Sequence, residues 1–168
     1  MTDVLRIVVQ WLHVTAGVLW IGGGFYTLLV QLPGLLAAAP PSRGPVLAQL
    51  APRQIRYISR VAEITLATGV LNLIFSGRAQ QLTEPFGSRW AIAILLGLLL
   101  AFGLYGLIRA TIFPWTRRML TLGPQAAAGD AAAAAEAGAL MGRLRRLGYA
   151  QLVIGLVILL AMVTARFS

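Results

Sequence analysis

WLHVTAGVLWIGGGFYTLLV, residues 11–30, decides the fold: twenty residues between Gln10 and Gln31 without one formal charge. At about 1.5 Å per residue, a helix of that length spans about 30 Å, the thickness of a bilayer's hydrocarbon core. The uncharged stretch is longer still, from Ile7 to Ser42. A secretory signal has a short apolar region ending at a small-residue cleavage site. This run therefore reads as a retained membrane helix.

The rest of the chain repeats the pattern. Only 11% of its 168 residues are charged, where a soluble domain carries about a quarter. Mean hydropathy is +0.80. The charges cluster between long apolar runs, which predicts helices over about 8–32, 53–76, 90–112 and 143–166. The expected fold is all-α, an integral membrane four-helix bundle forming a single transmembrane domain over 1–168. Pro33-Gly34 is expected to end the first span, and "AAAPPSRGP" to form a turn-rich loop before a helix with Pro52 at its first position. The Ala-rich stretch at about 125–141 reads as a helix-prone cytoplasmic loop, interfacial or mobile and too small-sided to bury a core.

The net charge of +9 points to lipid and not to nucleic acid, because the basic residues flank apolar spans. All fourteen are arginine. Ten lie in the loops after the first and third spans or at the adjoining helix ends. Only Arg6, Arg78, Arg89 and Arg166 lie on the other side. Positive residues favour the cytoplasm, so both termini are expected to be periplasmic in a bacterial inner (cytoplasmic) membrane. The absence of cysteine excludes disulfides, thiolate metal sites and haem attached through C-x-x-C-H. No nucleophile–base pair or phosphate loop stands out, which sets hydrolytic and nucleotide chemistry aside.

The second span is short. Between Glu63 and Arg78 lie fourteen uncharged residues, about 21 Å of helix. Arg60 and Glu63 therefore fall at or inside the membrane boundary, where a carboxylate is paired or functional. Self-neutralisation of the pair and a proton or anion site are both open readings.

His13 is the sole histidine. Steps of four and three from it give Gly17, Trp20, Gly24, Thr27 and Gln31, one helical face. Imidazole is a common iron ligand and is expensive in a membrane unless satisfied. Glycine admits close approach by a flat ligand or by another helix. The face thus suits haem b, with His13 on the iron and Gly17, Trp20 and Gly24 around the macrocycle. It equally suits helix packing, with His13 bonded to Asn72, Thr68 or a neighbouring carbonyl. Of Met1, Met119, Met141 and Met162, only Met162 is placed near the depth of His13 as a second metal ligand. Arg89 and Arg78, on the same side, carry the charge to hold propionates.

Leu12-His13, Gly17 and Trp20-Ile21-Gly22 resemble the first helix of a bacterial membrane family. It includes the copper-resistance protein D type, the membrane portion of cytochrome-linked urate oxidases and the membrane-bound protoporphyrinogen oxidase that binds haem b. "RYISRVAEITLATGV" is similar to its second helix. The resemblance covers about half the chain and is specific only in the first helix. It implies a haem b membrane protein acting in electron transfer or redox sensing with a membrane or periplasmic partner, as a homo-oligomer or as a subunit of a redox complex. A haem-free accessory or assembly subunit, a porphyrin-oxidising enzyme and a copper-uptake protein are the alternatives. The oxidase pattern pairs its histidine with a lysine on the third helix, where this chain has "RWAIAILLGLLLAFGLYGL" and no lysine. Copper transport asks for soft or imidazole ligands, and Met119 and Met141 flank the loop far from His13.

Overall fold

The structure, a computed structural model, describes residues 2–84 and 86–168. Helix α1 (Thr2–Tyr26) passes through a π-helical turn (Thr27–Gln31) into α2 (Leu32–Ala37). After a two-residue link comes α3 (Pro40–Phe75), then a short 3-10 turn (Ala79–Thr83). Helix α4 (Arg89–Leu107) passes through a second π-helical turn (Ile108–Ile112) into α5 (Phe113–Ala127), and α6 (Ala131–Arg166) completes the chain. These make four apolar rods of 34 to 39 residues, each long enough to cross a membrane. The chain is an all-α four-helix bundle and a multi-pass membrane protein.

The rods are longer than the sequence predicts, and proline explains the difference. Pro33 does not end the first span, nor does Pro114 end the third. Each lies two residues after a π-helical turn. A proline lacks an N–H and its ring crowds the carbonyl four residues back. Widening the preceding turn to i→i+5 bonding, from Leu32 N–H to the Thr27 carbonyl and from Phe113 N–H to the Ile108 carbonyl, carries the helix past it. The stretch expected as a loop is likewise helical from Pro40, with Pro45 and Pro52 inside α3.

The Ala-rich stretch is helical, as expected, but it is not free of a core. It is the first third of α6, started by Asp130, whose carboxylate accepts from the Ala132 and Ala133 N–H groups. Gly129, at φ 95°, takes the left-handed turn that lets α5 fold back on α6. Met119, Leu122, Ala133 and Leu140 then form a small core of their own. The small side chains allow the close approach.

Helices α1 and α3 form one antiparallel hairpin, and α4 and α6 another. Their outer surfaces are apolar; Leu99 is 72% and Leu160 is 66% exposed. With lipid on that side, association rests on van der Waals packing and interhelical hydrogen bonds, and small residues permit it. Ile21 sits on Gly155, Gln151 on Gly24 and Leu28 on Gly148, a seam joining the hairpins. Trp20, Ala62, Leu104 and Ile158 are central in the core beside it. Both described termini lie at one end, here the terminal end. The turns after α2 and α5 lie at the other, the loop end.

Candidate functional site

His13 stands on the α1 stripe Val9, Ala16 and Trp20 that packs on α3. Its ring rests on Gly69, so closely that a Cβ there would lie 2.9 Å from Cε1. Nδ1 is 2.9 Å from the Thr65 carbonyl oxygen and 3.4 Å from Thr68 Oγ1. A carbonyl can only accept, so Nδ1 carries the proton and Nε2 presents a lone pair. The Thr65 carbonyl, which also accepts from Thr68 Oγ1 at 3.3 Å, faces His13 across the gap left by Gly69 and accepts through a carbonyl's second lone pair. The two threonine hydroxyls meanwhile satisfy themselves on their own helix, Thr65 on Val61 and Thr68 on Ile64.

Nε2 has no hydrogen-bond partner among the described residues. Nor is it sealed in: the one buried, unpartnered side-chain nitrogen or oxygen among them is Asn72 Nδ2. Asn72, Thr68 and Thr65 share one face of α3, so His13 opens a polar lane at the terminal half of this hairpin.

The other residues on the predicted face are placed by packing. Gly17 lies against the Thr65 methyl, Gly24 against the Gln151 carboxamide, and Trp20 is 2% exposed in the core. Met162 is at the right depth: eight residues from Ile21 is His13, and eight from its contact Gly155 is Val163. Its methyl, however, fills the notch of Gly97 on α4. Arg89 lines an open groove of about 330 Å³ at the terminal end with Ser88 and Ser168. Arg78 lines it too, stacked 5.7 Å over Trp90. Met1 lies outside the described residues. Among those residues no three His, Asp or Glu side chains group as a metal cluster.

Glu63 pairs with Arg60 at 3.8 Å, as its sequence spacing suggests. Its second partner, missed in the sequence reading, is Tyr105, whose hydroxyl donates to Oε1 at 3.0 Å. Arg109 lies 5.9 Å from the Tyr105 ring centre. An aromatic with a polar tip, one helical turn before a boundary arginine, is the only cue to that contact.

Uncharged polar residues form a further group at the loop half. Gln31 Nε2 donates to Gln54 Oε1 at 3.2 Å, and Gln54 Nε2 donates to Thr27 Oγ1. The Thr27 hydroxyl in turn donates to the Gly23 carbonyl at 2.7 Å. With Gln151 and Thr116 these side chains face a cavity of about 170 Å³ between the hairpins.

Compared with known proteins, the chain matches no family model, no curated protein and no solved structure.

Proposed function

We propose that this chain is a small haem b protein of the bacterial inner membrane, with both termini periplasmic. His13 ligates the iron through Nε2, and the protein passes electrons or senses redox state with a membrane or periplasmic partner. One observation carries the reading. The Nδ1–H···O=C bond to Thr65 fixes tautomer and ring orientation, as the outer hydrogen bond of a metal-ligating histidine does, and leaves Nε2 unpaired and accessible. The resemblance of the first helix supports it, and the arginine bias supports the orientation.

Gly17, Trp20 and Gly24 are engaged with neighbouring helices, so the glycine face is not open to a macrocycle and His13 Nε2 is the atom that would hold the group. Met162 is engaged with Gly97, so His13 is the side chain of this chain that would hold the iron. Arg89, in the groove at the terminal end, would be the cation available to a propionate. Bound haem would supply one-electron iron chemistry; the chain's part is to hold the imidazole and shield it with α3. The packed glycines favour a second reading, a haem-free accessory subunit of a larger membrane complex.

Protein expressed with added haem and purified should show a Soret band, and His13→Ala should abolish or shift it while helicity is retained. Colourless, folded protein under those conditions leaves the accessory reading and makes His13 a packing residue.

A further inference from the structure

The loop-half cavity lies apart from His13. Its nearest α1 residue, Gly24, is eleven residues on, about 16 Å along the helix. It is lined from both hairpins, largely by Leu, Ile, Met and Phe side chains, and no charged residue is among the lining. Both π-helical turns contribute to the wall, through Thr27, Leu28 and Gln31 on one side and Ile108 and Ile112 on the other. Such turns are frequent at functional sites. Proline accounts for their existence, but not for their convergence on one space.

The polar groups in that wall are only partly used. The Gln31–Gln54–Thr27 chain leaves Gln31 Oε1 without a partner, and neither end of the Gln151 carboxamide has one among the described residues. An acceptor and a donor–acceptor pair therefore border an apolar space. A comparable apolar cavity of about 150 Å³ holds one benzene ring. An ion would be stripped of water there with no opposite charge to meet it.

We infer that this cavity binds an uncharged single-ring molecule bearing a hydroxyl or ring carbonyl, with Gln151 and Gln31 as its hydrogen-bonding partners. The apolar wall takes the ring and the carboxamides take the polar substituent. The competing occupant is a small cluster of water, of about five molecules at roughly 30 Å³ each.

The test uses the full chain in lipid nanodiscs and ¹⁹F NMR titration with 4-fluorophenol, fluorobenzene and 4-fluorobenzoate, with empty nanodiscs as the partition baseline. 4-Fluorophenol should bind saturably and about tenfold more tightly than fluorobenzene, the ratio one or two net hydrogen bonds provide. 4-Fluorobenzoate should not exceed the baseline. Gln151→Leu and Gln31→Leu, which keep an apolar wall, should each reduce the preference for the phenol severalfold, and Ile112→Phe should exclude both 4-fluorophenol and fluorobenzene. Phenol signals that stay at the baseline, or binding unchanged in both glutamine variants, overturn the proposal and leave a hydrated pocket. Saturable benzoate binding overturns it as well. None of these readings depends on His13 or haem.

Discussion

Gly69 is where the His13 geometry can be tested without any ligand. Replacing it by alanine puts a methyl 2.9 Å from His13 Cε1 and 3.3 Å from Nδ1, where ordinary contacts begin at 3.4 Å. The imidazole must move by about 0.5 Å, and it cannot swing freely because Nδ1 is held at 2.9 Å by the Thr65 carbonyl. Overpacking of this kind costs about 1–3 kcal/mol. Loss of the hydrogen bond adds about 0.5–1.5 kcal/mol. Against these stands a helix-propensity gain of about 0.8–1 kcal/mol for Gly→Ala. Gly22→Ala supplies the control, since a Cβ there meets nothing within 4 Å. Relative to Gly22→Ala, in which the propensity gain is the same, Gly69→Ala should be destabilised by about 1.5–4.5 kcal/mol. In a His13→Ala background the methyl enters space the ring has vacated, so Gly69→Ala should become neutral or stabilising. The double-mutant cycle, measured by reversible detergent unfolding, should give a coupling of about 1.5–4.5 kcal/mol. A coupling below about 0.5 kcal/mol would falsify the contact between this ring and α3.

Three further outcomes follow from individual contacts. Tyr105→Phe removes the hydroxyl that Glu63 accepts and should lower stability by about 0.5 kcal/mol, the pair being partly exposed; a larger change in the same unfolding assay would show Glu63 to be more enclosed than its 43% side-chain exposure indicates. Asp130→Ala should cost about 1 kcal/mol and speed hydrogen exchange at Ala132 and Ala133, whereas unchanged exchange would mean that packing on α5 and not the cap starts α6. Reporter fusions at Ser42 and Gly123 should read as cytoplasmic and one at Ser168 as periplasmic; the reverse pattern would put His13 in the inner half.

The four spans were legible because lipid imposes a strong sequence signal: the uncharged runs around Trp20, Leu73, Leu99 and Leu156 have no other solvent. Their ends were not legible, because Pro33, Pro45, Pro52 and Pro114 carry the same letter whether they break a helix or are carried through it. At Pro33 and Pro114 a π-helical turn, invisible in composition, carries the helix through, while α3 runs past Pro45 and Pro52 without one. The first-helix face shows a second limit. Three-and-four spacing correctly puts His13 and Trp20 on one stripe, but it cannot say which neighbour each residue of a broad face meets. Gly17 and Gly24 lie at the stripe's edge, and there α3 claims one and α6 the other. A histidine above glycines is therefore the pattern of a ligand cradle and of a three-helix junction alike. What separates them is the free valence of the imidazole. At His13 the Thr65 carbonyl engages one nitrogen and nothing described engages the other. A purely structural histidine at a crowded junction gains by pairing both nitrogens, and Thr68 with its hydroxyl stands within 3.4 Å of the nitrogen already used. The polar supply of α3 is thus spent on one side of the ring, which is why Nε2 is the atom on which a function for His13 must act.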